Sequence, residues 1–142
     1  MTLLISNKQL LAPVSPLLPA AFLQLEQWAN SFLWNEISYP SSKFSTPTTV
    51  QGGQASFLVD PFGFVVLRGY LTTTAGTPTD IGTLPTSASP TSTILVSAGG
   101  IFSGSYEQWG LGISPGGVMT TTFQSSNVGD QYYFDGVRFP TF

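Results

Sequence analysis

Hydrophobic positions change their spacing twice along this chain. In residues 1–19 they come in short clusters broken by Pro13, Pro16 and Pro19. From residue 20 to 37 they fall three and four apart, at Phe22, Leu25, Ala29, Phe32 and Leu33, with Glu36 closing the stripe. That spacing predicts a helix over 20–37: no glycine or proline interrupts it, and Pro19 pre-sets the backbone angle of its first turn. Leu23, Trp28 and Trp34 lie off the stripe, so the helix is apolar round most of its circumference. Such a helix is either sandwiched inside a domain or packed on copies of itself, and self-association is the favoured reading. At about five turns it is short for a coiled coil. Phe22, Leu25, Trp28 and Phe32 are the residues expected to make anchor or oligomer contacts.

Residues 38–53, rich in Ser, Thr and Pro and ending in Gly52-Gly53, read as a linker. The domain boundary is placed there, with an anchor arm, helix and linker in 1–51 and a β domain in 52–142. Alternation then takes over. Gln54–Val59 and Phe64–Thr72 are expected strands around Asp60-Pro61-Phe62-Gly63, whose residue types suit a type I turn. In the second strand Val65, Leu67, Gly69 and Leu71 share one face, and Phe64, Val66, Arg68 and Tyr70 the other. A long Thr/Gly/Pro loop over 73–90 carries Ile81 and Leu84 as plugs. Further strands are expected at Thr91–Ser97, Ile101–Tyr106, Trp109–Ser114, Val118–Gln124 and Gln131–Phe139, with hairpin turns at Gly99-Gly100 and Gly116-Gly117. A bulge at Asp135-Gly136 would let Tyr132, Phe134, Val137 and Phe139 face one side. About seven strands at this spacing define a mainly β fold, an antiparallel sandwich.

Composition narrows the chemistry. The chain has 142 residues, 17 Ser, 17 Thr and 19 aromatics, but only 8% charged residues, against about 25% in an average soluble protein. It lacks cysteine and histidine altogether. Disulfides, thiol nucleophiles, zinc fingers and histidine triads are therefore excluded. Four cations and a net charge of -3 offer no basic surface to a nucleic acid. No apolar run reaches the ~20 residues of a membrane helix, so no membrane insertion is expected. Lys8 splits the first apolar stretch instead of preceding it, a poor match to a signal peptide. The proline-broken leucines of 1–19 cannot bury one another, and the segment is read as an anchor onto a partner. Few charges also leave strand edges poorly guarded, so association is expected.

The candidate carboxylates are Asp60, Asp80, Glu107, Asp130 and Asp135. Glycoside hydrolysis needs two working together, but turns, a loop and the bulge account for Asp60, Asp130 and Asp135. No enzyme activity, cofactor or metal is expected. Gly99-Gly100 and Gly116-Gly117 lack the Lys-Ser/Thr sequel of a phosphate loop. Tyr106, Trp109 and Tyr133 are the candidate saccharide contacts, because a flat ring stacks on sugar C–H surfaces while its polar edge hydrogen-bonds. Packing competes with that role, most heavily for Trp109 beside Gly110 and Gly112, and Tyr132 is weighed alongside them. Arg68 and Arg138 are expected in subunit-spanning ion pairs with Asp60 or Asp135.

Read in order, Phe64-Val65-Val66-Leu67-Arg68-Gly69, Leu84-Pro85, Pro90, Gly117-Val118 and Phe134-Asp135-Gly136-Val137-Arg138-Phe139 resemble the small β knob domains at the ends of bacteriophage tail fibres and tail spikes. The similarity covers 52–142. It implies a homotrimeric, jelly-roll-like β-sandwich displayed on a virion, usually for host attachment, with no invariant catalytic residues. The expected partners are two further copies of the chain, other virion proteins through the N-terminal arm, and a host cell-surface saccharide. A capsid decoration or head fibre is the alternative, and a polysaccharide depolymerase is disfavoured.

Overall fold

The turn at Asp60 is built by its own side chain. Oδ1 accepts from the amides of Phe62 and Phe64, each at 2.9 Å, while Gly63 N–H donates to the Asp60 carbonyl at 3.1 Å. Gly63, with φ 84°, completes the reversal, as the sequence predicts.

The computed structural model describes residues 21–25, 32–76, 79–125 and 127–142. The anchor arm and, of the expected helix, residue 20 and residues 26–31, Trp28 among them, lie outside the described residues. Residues 21–25 are helical. Asn35-Glu36, the expected helix end, instead forms a strand, and Ile37 beside it is buried. The chain forms two units, Met1–Leu33 and Trp34–Phe142.

Within the second unit the strands are β1 (Asn35–Glu36), β2 (Phe44–Ser45), β3 (Ser56–Val59), β4 (Phe64–Arg68), β5 (Tyr70–Thr73), β6 (Asp80–Thr83), β7 (Ile94–Phe102), β8 (Ser105–Ile113), β9 (Val118–Thr121), β10 (Gln131–Tyr133) and β11 (Arg138–Pro140). They make two antiparallel sheets, β1-β3-β4-β11 and β2-β5-β10-β7-β8-β9-β6. The mainly β, antiparallel sandwich expected from the alternation is what the chain forms.

Residues 38–53 are part of this sandwich and not a linker. Phe44 on β2 is buried against the Tyr132 ring, and Thr46 Oγ1 donates to the Tyr70 carbonyl at 2.8 Å. A single buried ring, Phe44, among serines and threonines is too sparse a signal to reveal this. The expected loop over 73–90 likewise holds β6, paired with β9, and a short 3-10 helix at Thr86–Ala88. Ile81 and Leu84 are buried, as expected of plugs.

Two expected strands turn out to be four. Phe64–Thr72 breaks at Gly69, and Gln131–Phe139 breaks at Asp135-Gly136, a turn and not a bulge. At each break the chain leaves one sheet and enters the other: β4 and β11 pair together in the smaller sheet, β5 and β10 in the larger. Amides and carbonyls cross-link the breaks, Phe134 N–H to Gly69 O at 2.8 Å and Leu67 N–H to Val137 O at 2.9 Å. Tyr132, Phe134, Val137 and Phe139 do all face the core.

Conversely, the three strands expected between 91 and 114 are two. β7 and β8 form one hairpin of nine pairs, turning at Ser103-Gly104. Gly99-Gly100 therefore lies inside a strand. Its glycines make room for rings: a Cβ at Gly99 would collide with the Tyr106 hydroxyl, and one at Gly100 would meet the Phe102 ring at 2.6 Å. Gly116-Gly117 is the hairpin turn expected.

The aromatic centre of the core is Tyr132. Its ring meets Phe102 and Trp109 edge-on, with centroids 5.0 Å away in both cases, and Trp109 meets Phe134 at 6.2 Å. The Tyr132 hydroxyl donates to Phe123 O at 3.0 Å and accepts from Ser125 N–H at 3.1 Å, so its one polar atom is paired in the interior.

Candidate functional site

Since Tyr132 points inward, Gln131 and Tyr133 on either side of it point outward. Tyr133 pairs with Tyr70 of β5, and their rings lie 5.1 Å apart at a 38° tilt. Tyr133 Oη donates to Gln131 Oε1 at 2.7 Å, which orients the amide with its NH2 as the donor end. Removal from water raises the Tyr133 hydroxyl above its ordinary 10.0, and the neighbouring Tyr70 and Asp135 act in the same direction.

The register carries this face onward. Gln131 pairs with Ile101 of β7, and Ile101 pairs with Tyr106 of β8, so Tyr106 shares the outward face. It is 72% exposed, with its hydroxyl end over Gly99. Three tyrosines from β5, β10 and β8 thus stand on one side of the larger sheet. Further along the hairpin the same side opens into a depression of ≈ 440 Å³ lined by Leu95, Ser97, Gln108, Gly110 and Thr122 among others.

Of the three saccharide candidates, Tyr106 and Tyr133 share this outer face. Trp109 does not: it is 4% exposed, and its Nε1–H donates to the Gly99 carbonyl at 2.8 Å on the core side. Trp109 belongs to the core, because odd-numbered positions of β8 from 109 to 113 face inward. Tyr70 and Gln131 were not among the candidates. The strand alternation that set Tyr70 opposite Leu71 was the signal available for it. Of the helix candidates, Phe22 is half-buried, Leu25 and Phe32 are exposed, and Trp28 lies outside the described residues.

Of the charged groups, Asp135 neighbours Tyr133. Arg138 pairs with Asp60 at 3.2 Å within the same chain and lies over the Phe64 ring at 4.0 Å, so this pair does not span subunits. Arg68 lies over the Trp34 ring at 5.7 Å. Asp135 Oδ1 accepts from Gly69 N–H. Asp130, 6% exposed, accepts from Ser103 N–H at 2.9 Å and from the Ser125 hydroxyl. This carboxylate fixes the β7–β8 turn, where Ser103 has a φ of 52°. Asp80 and Glu107 are exposed on β6 and β8. The register aligns Asp80 with Thr120 and Gly112, and Glu107 lies five residues further along β8, roughly 19 Å from Asp80 by strand geometry. Among the described residues no group of three or more acidic side chains could hold a metal, and no helix there is long and apolar enough to cross a membrane.

No protein-family model matches the chain, and neither does any curated protein. Among solved structures its fold is that of a phage receptor-binding protein. The match is the crystal structure of the receptor binding protein gp15 of Listeria phage PSA, with a TM-score of 0.58 at 19% identity, covering 87% of this chain and 74% of that chain. The resemblance to phage attachment proteins therefore extends, in fold, over most of the chain.

Proposed function

We propose that this chain is a non-enzymatic structural component of a tailed-phage virion, a trimeric knob that attaches the particle to the host cell surface. The observation that carries this reading is the fold shared with a phage receptor binding protein over 87% of the chain. The carboxylates support the non-enzymatic part. Asp60, Asp130 and Asp135 are engaged in turns, and the separation of Asp80 from Glu107 is well beyond the ~5–9.5 Å over which two carboxylates cleave a glycoside. The outward tyrosines give the knob a surface for contact.

A capsid decoration is the second reading. It is favoured by one observation: residues 38–53, expected as a linker that would set a knob apart from its anchor, are folded into the sandwich. Two measurements test the proposal. Fluorescently labelled full-length protein should adsorb saturably to cells of a susceptible strain and compete with adsorption of the phage. Antibody labelling of intact particles should mark the tail; labelling confined to the head, with no cell adsorption, would replace attachment by decoration.

A further inference from the structure

We propose that the outward face formed by Tyr70, Tyr133, Gln131 and Tyr106 is a binding site for an uncharged oligosaccharide. The proposal rests on the attachment reading for its biological setting, but its chemistry comes from the face itself.

Shape comes first. Tyr70 and Tyr133 are half-buried and held by their mutual ring contact, so they lose little freedom when a ligand covers them. Tyr106 reaches across the notch left by Gly99, which brings its hydroxyl end one strand away from β10. The strip crosses β5, β10, β7 and β8, three interstrand steps, or about 14 Å. That is wider than one pyranose ring and suits a short chain of them. Aromatic faces stack on sugar C–H surfaces, while the tyrosine hydroxyls and the oriented Gln131 amide match sugar hydroxyls.

Charge decides between sugar classes. The outward positions of these strands beside the tyrosines are Thr72, Gln131, Ser97, Gly99, Ile101 and Gln108, none of them ionisable. Of the four cations, Lys8 lies outside the described residues. Lys43 lies against Gly76, Arg68 is over Trp34, and Arg138 is paired with Asp60. An anionic glycan or a phosphate-linked polymer would have to shed its hydration here without a counter-charge, a desolvation cost nothing on the face offsets. A cationic ligand would find Asp135, already bound to Gly69, and Glu107, whose place on β8 alternates away from the side of Tyr106. A neutral sugar meets neither difficulty.

The test is saturation-transfer NMR and titration calorimetry on the full-length protein, with chitotriose and maltotriose as neutral probes and sialyllactose and poly(glycerol phosphate) as anionic ones. At least one neutral probe should bind, with the anionic probes at least about tenfold weaker. Tyr133→Ala and Tyr106→Ala should each weaken neutral binding about tenfold. Tyr133→Phe, which keeps the ring, should retain most of it, and Phe62→Ala, at an exposed turn of the smaller sheet, should leave it unchanged. Circular dichroism of each variant shows whether the fold is kept. Preferred binding of anionic probes, neutral binding indifferent to both tyrosines, or a change of oligomeric state in place of a change in binding would overturn the proposal. Cell adsorption without neutral-sugar binding refutes this site and leaves attachment standing. Sugar binding without adsorption to any susceptible cell refutes attachment and leaves the site.

Discussion

The backbone N–H of Gly69 donates to Oδ1 of Asp135 at 3.0 Å, across 66 residues of chain, at the place where two strands pass from one sheet to the other. Gly69 has a φ of 85°, and a Cβ there would run into the Gln54 carbonyl. Neither that backbone atom nor the left-handed angle yields cheaply. Gly69→Ala should therefore cost at least about 2 kcal/mol of unfolding free energy. Asp135→Ala, which strands a buried amide, should cost about 1–2 kcal/mol. Urea titration of both variants and of the double variant checks this; the double variant should fall short of the sum, since the two residues share one bond.

At the opposite end of β4, Asp60 should make stability acid-sensitive. The Phe64 amide, with the Phe62 amide and Arg138 adding to it, outweighs desolvation and holds its carboxyl below the ordinary 3.8. The folded state thus prefers the carboxylate. The stability this confers is complete above 3.8 and drains away as pH falls through the lowered folded value. Asp60→Asn keeps an oxygen for both amides and removes the titration. Thermal melts between about pH 2 and 5 should show a shallower acid decline for the variant than for the parent chain.

The sandwich class, its core face at Val65, Leu67 and Leu71, and the inward set Tyr132, Phe134, Val137 and Phe139 were legible in the sequence, because alternation records which side of a strand is buried. Sheet membership was not. Nothing in the run 64–72 distinguishes one bent strand from two, since the side-chain period continues through Gly69 while the hydrogen-bond partners change. Gly99-Gly100 misled for a related reason: glycine serves a turn and a ring crossing equally well, and only the position of Tyr106 and Phe102 across the hairpin decides between them. Half of the tyrosine face was visible as Tyr106 and Tyr133; Tyr70 joins it through a pairing 63 residues away in sequence.

The two sides of the larger sheet should respond oppositely to truncation. Trp109→Ala removes a buried ring and its bond to Gly99, and should cost about 3–5 kcal/mol, whereas Tyr106→Ala on the exposed side should stay within about 0.5 kcal/mol. Tyr132→Phe should cost about 1–3 kcal/mol by leaving the Ser125 amide without its acceptor. Burial raises the Tyr132 hydroxyl above 10.0, so its contribution is intact below that pH and is lost as pH rises through the folded value. Denaturant titrations at neutral and alkaline pH would separate these effects.

The assembly is expected to be a homotrimer. In the first unit Leu23, Leu25, Phe32 and Leu33 are exposed, Leu33 to 61% and Leu23 to 50%. These four large apolar side chains leave surface that association would remove from water. Covering apolar surface contributes about 25 cal/mol per Å², and a symmetric oligomer repeats each gain in every subunit. The sandwich adds no second reason at β11, an edge strand whose Arg138 and Pro140 guard it against pairing. Three copies are expected on the resemblance to trimeric knobs; the exposed residues argue for association, and the analogy for its number. Light scattering of the full chain should accordingly give three times 15.1 kDa. Leu25→Asp combined with Phe32→Asp should weaken the assembly while the sandwich keeps its β signature in circular dichroism. A monodisperse monomer at micromolar concentration would remove the trimer from the proposed function and leave the exposed leucines to a different partner.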